Sequence, residues 1–152
     1  MQKGLISLIG AGPGDPGLIT VKGLARLSRA DAVVYDRLAS PALLGYVRAG
    51  AERYDVGKES DRHPVPQHEI NKLLIRLGRE GKRVARLKGG DPFIFGRGGE
   101  EGERLREAGI PFEVIPGVSS CYAAPAYAGI PVTHRDAASS FHVITGHERA
   151  GE

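Results

Sequence analysis

Short apolar runs alternate with amphipathic stretches along the whole chain, and this alternation restricts its fold more than any other feature. Residues 4–9 (GLISLI) read as a first strand and Ala32–Tyr35 as a second. Residues 52–56, 83–87 and Phe112–Ile115 follow as third, fourth and fifth strands, with 141–145 as a candidate sixth. Helical stretches lie between them. Thr20 caps a helix running to about Arg29, and Ser40-Pro41 supplies a cap and a first-turn proline. Gln67–Arg79 places Ile70, Leu73, Leu74 and Leu77 on one face and stops at Gly81. Residues 100–107 form a charged helix that ends at Gly109. Strand then helix, repeated, predicts an α/β domain with a mostly parallel sheet flanked by helices.

A chain of 152 residues suffices for one such domain. No apolar run approaches the roughly 20 residues that cross a bilayer, and the apolar part of the N-terminus is too short for a signal peptide. The single cysteine, Cys121, excludes an internal disulfide. The expected compartment is the cytoplasm. The net charge of +3 is not gathered into a basic run, so it suits an anionic small molecule as well as nucleic acid.

Two glycine-rich loops carry the chemistry. Gly10-Ala11-Gly12-Pro13-Gly14-Asp15 follows the first strand. It approaches a dinucleotide-binding loop, and Asp36 stands where a ribose-binding acid is expected. Asp15 replaces the third glycine, however, and Pro13 and Pro16 remove backbone donors. A ligand-free turn is the other reading of this loop. The second segment, RLKGGDPFIFGRGGEE at 86–101, is too dense in glycine for a regular strand or helix. It is an ordered loop that lets backbone approach a ligand between apolar walls.

Taken in order, GAGPGDPGLIT, VVYDRL, RLKGGDPFIFGRGGEE, VIPGVSS and AYAGIPVTHR resemble the motifs of the tetrapyrrole methylases. The long middle motif is most similar to the branch that C-methylates uroporphyrinogen III. The resemblance implies residues 1–147 as an N-terminal tetrapyrrole methylase domain, and 148–152 as the start of a linker to a second α/β domain. It implies S-adenosylmethionine as methyl donor, S-adenosylhomocysteine as by-product, and precorrin-2, on the way to sirohaem and cobalamin, as product. It also implies a homodimer with its site in the cleft between domains, and no nucleic-acid or membrane partner. Such a domain alone is expected to dimerise and to turn over poorly.

Matched motif to motif, Pro13, Gly89, Gly90, Asp91 and Ile94 fall on donor-binding positions, and Ser119 and Ser120 stand where the family carries a Thr-Ala pair. Asp36 and Lys58 match the family's proton acceptor and proton donor. From their own chemistry, Asp36 also reads as a turn acid, Lys58 as a surface or carboxylate-binding lysine, and Asp91-Pro92 as a turn. Arg37, Arg97, His134 and Arg135 are further candidates for gripping substrate carboxylates. His63, His68 and His147 lack partners at ligand spacing, so no metal site is expected. Two other readings are a family member acting on a later corrin precursor or on ribosomal RNA, and a non-catalytic binding or dimerisation module.

Overall fold

The computed structural model describes residues 3–57 and 65–146. Five parallel strands form one sheet: β1 (Leu5–Gly10), β2 (Ala32–Tyr35), β3 (Glu52–Asp55), β4 (Arg83–Lys88) and β5 (Phe112–Ile115), in the order β3-β2-β4-β1-β5. β4 is central and runs beside both β1 (Ile6 opposite Val84) and β2 (Val33 opposite Ala85).

Because side chains alternate across a strand, each strand feeds two cores. One face presents Ile6, Leu8, Ala32, Val34 and Val84 to α2 (Gln67–Arg79) and α3 (Gly98–Glu107), which contribute Ile70, Leu74, Leu77 and Leu105. The other presents Ile9, Val33, Ala85, Leu87 and Ile115 to Leu27 at the end of α1 (Val21–Leu27) and to Leu43 in a 3-10 helix over Pro41–Tyr46. The crossovers through α1 and this 3-10 helix move toward the β3 edge and cover one face. Those through α2 and α3 move toward the β5 edge and cover the other. Opposite directions on opposite faces are what crossovers of a single hand require. The chain therefore leaves β1 and its neighbour β4 in opposite directions, and a crevice opens at their carboxyl ends.

Local signals explain the element ends. Thr20 Oγ accepts from Gly23 N at 3.0 Å, and α1 stops two residues short of the expected end. Helix α2 occupies the predicted span, with Ile70, Leu74 and Leu77 buried. Ser40 makes no side-chain cap bond, and Pro41 starts a 3-10 helix. Residues 141–145 form no strand: they lie exposed beyond α4 (Ser120–Tyr127) and join no ladder of the sheet. Helix α4 itself carries Pro125 and has no amphipathic stripe to announce it. Among the described residues, no helix is long and apolar enough to cross a membrane.

Candidate active site

The loops leaving β4, β1 and β5 meet backbone to backbone at the crevice. Gly90 N donates to Gly12 O at 2.8 Å, and Gly12 N donates to Gly90 O at 3.2 Å. A Cβ on Gly10 would lie 2.5 Å from Gly117 Cα, and one on Gly117 would lie 2.4 Å from Gly90 O. No side chain fits there. Asp91 ties the arrangement together: Oδ2 accepts from Gly117 N at 2.9 Å and Oδ1 from Phe93 N at 2.8 Å. The turn reading of Asp91 is thus realised, with both carboxylate oxygens engaged by backbone.

The residues expected to hold the methyl donor gather around this contact. Pro13 is exposed beside Gly12, Gly89 and Gly90 follow β4, and buried Ser119 precedes α4, whose first residue is exposed Ser120. Ile94 is exposed and supplies apolar surface. Uncovered backbone at Gly14, which has open space where a side chain would be, and the two serine hydroxyls make a donor set that fits a polar ligand with an apolar portion. The dinucleotide reading finds less support. The N–H of Gly12 is satisfied by Gly90, and Asp15 is engaged by Gly17 N at 2.7 Å and by the Tyr127 hydroxyl at 2.7 Å.

Beside it, at the ends of β2 and β4, lies a cavity of about 300 Å³. Asp36, Arg37, Arg86, Lys88, Gly89, Ile94 and Arg97 all contribute to its wall. Among the described residues its charged lining is four cations against one carboxylate. Arg86 and Lys88 sit two apart on β4, so they share the face that Val84 gives to the core, yet both are buried. Glu101 of α3 compensates them. Its Oε1 accepts from Arg86 Nε at 3.1 Å and Gln67 Nε2 at 3.2 Å, and Lys88 Nζ stands 3.0 Å from Oε2, a charge contact outside hydrogen-bond geometry. Burial pushes the Lys88 ammonium below its ordinary range, and Arg86 adds to this, against the pull of Glu101.

Asp36 closes the cluster, with Oδ2 accepting from Arg86 Nη2 at 3.3 Å and Oδ1 from Leu38 N at 3.0 Å. Its turn role and its place on the cavity wall coexist. Arg97 has a left-handed backbone (φ 57°) and makes a two-pronged pair with Glu100, at 2.8 and 2.7 Å, which raises its pKa further.

Not every expected residue comes to this place. His134 and Arg135 lie exposed in a turn after α4, where His134 N bonds Ala138 O at 2.8 Å; neither lines the cavity. Lys58, His63 and His147 lie outside the described residues, although Gly57 and Val65, which bracket the stretch containing Lys58 and His63, line the cavity. His68 pairs with Glu69 at 3.1 Å, and no group of three potential ligands surrounds a metal-sized space among the described residues. Sequence reasoning missed Arg86, Lys88, Gln67 and Glu101. The available signal was a pair of cations at alternate positions on β4, interleaved with Val84, Ala85 and Leu87.

A parallel sheet with glycine loops at its switch point and a cationic cavity alongside defines a ligand-binding α/β domain. The model of the Tetrapyrrole (Corrin/Porphyrin) Methylases matches residues 5–152, and the chain belongs to this family. It is 60% identical over 151 residues to the porphyrin biosynthesis protein HemD of Ruminiclostridium josui, covering 99% of the chain and 30% of that protein. It is 59% identical to siroheme synthase 1 of Halorhodospira halophila, covering 98% and 31%. The chain thus spans about a third of the length of these relatives. Among solved structures it is similar to uroporphyrin-III C-methyltransferase from Thermus thermophilus, with TM-score 0.76, 48% identity, and coverage of 87% of this chain and 55% of that one. A form of that enzyme complexed with S-adenosyl homocysteine gives TM-score 0.76 and 45% identity, covering 90% and 57%. Cobalt precorrin-4 methyltransferase gives 0.75 and 39%, covering 87% and 53%.

Proposed function

We propose that this chain supplies the methyl-donor site and one wall of the tetrapyrrole site of an S-adenosylmethionine-dependent uroporphyrinogen-III C-methyltransferase, acting in the cytoplasm as a homodimer in sirohaem or cobalamin biosynthesis. The observation that carries this reading is the junction at Gly89 and Gly90. One residue lines the cationic cavity, and the next belongs to the glycine contact among the β1, β4 and β5 loops. The greater identity to the C-methyltransferase than to the cobalt precorrin-4 enzyme, 48% against 39%, favours the earlier substrate.

S-adenosylmethionine supplies an electrophilic methyl group whose sulfonium becomes a neutral thioether on transfer. The chain's own work is to place and balance charge. Pro13, Gly89, Gly90 and the Ser119-Ser120 pair hold the donor at the strand ends, with Ile94 against its apolar part. Arg37 and Arg97 hold carboxylate arms of the ring in the cavity. Asp36, fixed by Arg86 and by Leu38 N, presents a carboxylate to the cation that develops when a pyrrole carbon attacks, and accepts the proton released at Oδ2 or Oδ1. Lys58 serves as proton donor.

Calorimetric titration of the chain with S-adenosylhomocysteine, with NAD as control, tests the donor half of this reading. Saturable binding of the first alone supports it. Binding of NAD alone, or of neither, overturns it for this chain.

A further inference from the structure

The cations at the cavity floor are not equivalent. The Arg86 guanidinium is engaged at each of its three nitrogens, with Nε on Glu101 Oε1 at 3.1 Å, Nη1 on Leu87 O at 2.9 Å and Nη2 on Asp36 Oδ2 at 3.3 Å. Lys88 has less. Its ammonium carries three donors, and the described residues give it one ion-pair partner, Glu101 Oε2 at 3.0 Å. Lys88 is 4% exposed, so its remaining donors are reached only by way of the cavity that it lines.

The placement of the counter-ion matters as much. Glu101 is fully buried and absent from the cavity wall, whereas Lys88 lines it. An incoming ligand therefore meets the ammonium and not the carboxylate behind it. A structural ion pair has no need of this asymmetry. The lowered pKa of Lys88 agrees with it, because a second anion at the ammonium would relieve the burial that depresses it.

We infer that Lys88 is a substrate-orienting residue, its ammonium receiving one carboxylate arm of the tetrapyrrole at the cavity floor while Glu101 and Arg86 hold it in place. This rests on the reading of the cavity as the tetrapyrrole side of the site. The arm enters as a carboxylate and makes a charge-assisted hydrogen bond; no covalent step is involved. Arg37 and Arg97 are exposed and adjust to different arms, whereas Lys88, locked on the central strand, fixes where one arm must sit.

The test is titration of the protein with uroporphyrin III, the oxidised, air-stable octacarboxylate, followed by quenching of porphyrin fluorescence. Lys88→Met should weaken binding about ten- to hundred-fold, the effect of removing one charge-assisted hydrogen bond. The double variant Lys88→Met/Glu101→Gln decides between roles: it removes both charges of the pair, keeps at position 101 an oxygen for Arg86 Nε, and leaves Arg86 its Asp36 counter-ion, so it avoids the unpaired buried carboxylate of the single variant. If Lys88 receives the carboxylate, the double variant stays equally weak, while S-adenosylhomocysteine binding is unchanged. Recovery of wild-type affinity in the double variant would show that Lys88 only neutralises Glu101 and would overturn the inference. Unaltered binding by Lys88→Met would do the same. If the unmodified protein fails to bind uroporphyrin III, the substrate reading itself falls and the inference goes with it.

Discussion

Gly12 and Gly90 hydrogen-bond to each other in both directions, so the loop after β1 and the loop after β4 are joined by main chain alone. The link needs Gly12 (φ 78°) and Gly90 (φ 65°) in the left-handed region, and it lies against Gly117 of the next loop.

The glycines of this contact should respond differently to a methyl group. At Gly90 the space is open, the nearest atom being Ser119 Cα at 3.9 Å, so Gly90→Ala bears only the left-handed backbone cost of about 1 kcal/mol. At Gly117 the new carbon would meet Gly90 O at 2.4 Å and Gly10 Cα at 2.6 Å. Gly117→Ala is therefore expected to cost about 2 kcal/mol or more and to abolish S-adenosylhomocysteine binding. Urea denaturation and calorimetry check both; equal losses for the two variants would refute the assignment of backbone contact.

Asp36→Asn keeps an oxygen for Leu38 N but removes the charge that faces Arg86 and the cavity. In the full-length protein we expect methyl transfer to slow by about 10²- to 10⁴-fold, with S-adenosylhomocysteine affinity within two-fold of wild type. Parallel loss of both in kinetics and calorimetry would instead make Asp36 a structural turn acid.

Glu101→Ala should destabilise the chain by about 3–5 kcal/mol, because it leaves Arg86 and Lys88 buried without their shared counter-ion. Glu101→Gln keeps the oxygen that accepts from Arg86 and is expected to lose less. A shift of the urea midpoint no larger for alanine than for glutamine would show that the cluster is already solvated.

Acid should weaken the fold through two carboxylates far from the site. The Arg26 guanidinium, helped by Ser7 and Lys22, holds Glu113 down from 4.5 to about 2, and Arg83 holds Asp31 down from 3.8 to about 2. Both folded-state values lie below the unfolded ones. Their contribution is therefore complete above about pH 4.5 and is lost as pH falls through about 2. Allowing for screening at these partly exposed pairs, each is worth on the order of 1–2 kcal/mol. Urea midpoints taken across this range should fall with pH, and Glu113→Gln should flatten the fall; an unchanged slope in that variant would refute the role given to Glu113.

The sheet was legible because its strands announce themselves locally: β2 and β5 begin and end where the apolar runs do, and α2 follows its stripe from Gln67 to Arg79. Asp36 and the glycine loops were legible because strand ends and glycine density mark them. Arg86 and Lys88 were not, since cations on a strand ordinarily point to water. Only the docking of α3 brings Glu101, 15 residues on from Arg86, to bury them. His134 and Arg135 have chemistry that suits carboxylates, but the bridge from His134 to Ala138 folds their segment into a turn of its own, and neither lines the cavity. Residues 141–145 have the composition of a strand but pair with no strand of the sheet, although the outer edge of β5 has no partner strand among the described residues.

The strand order has a consequence for the chain as it is being made. β1 has neighbours only in β4 and β5, while β2 has β3 and β4. A nascent polypeptide that has not yet reached Arg83 therefore carries β1 with no partner, beside a two-stranded piece with both edges bare. When β4 emerges it enters between the two and joins them in one step. Until then the growing chain presents unpaired strand edges of the kind that other chains can capture.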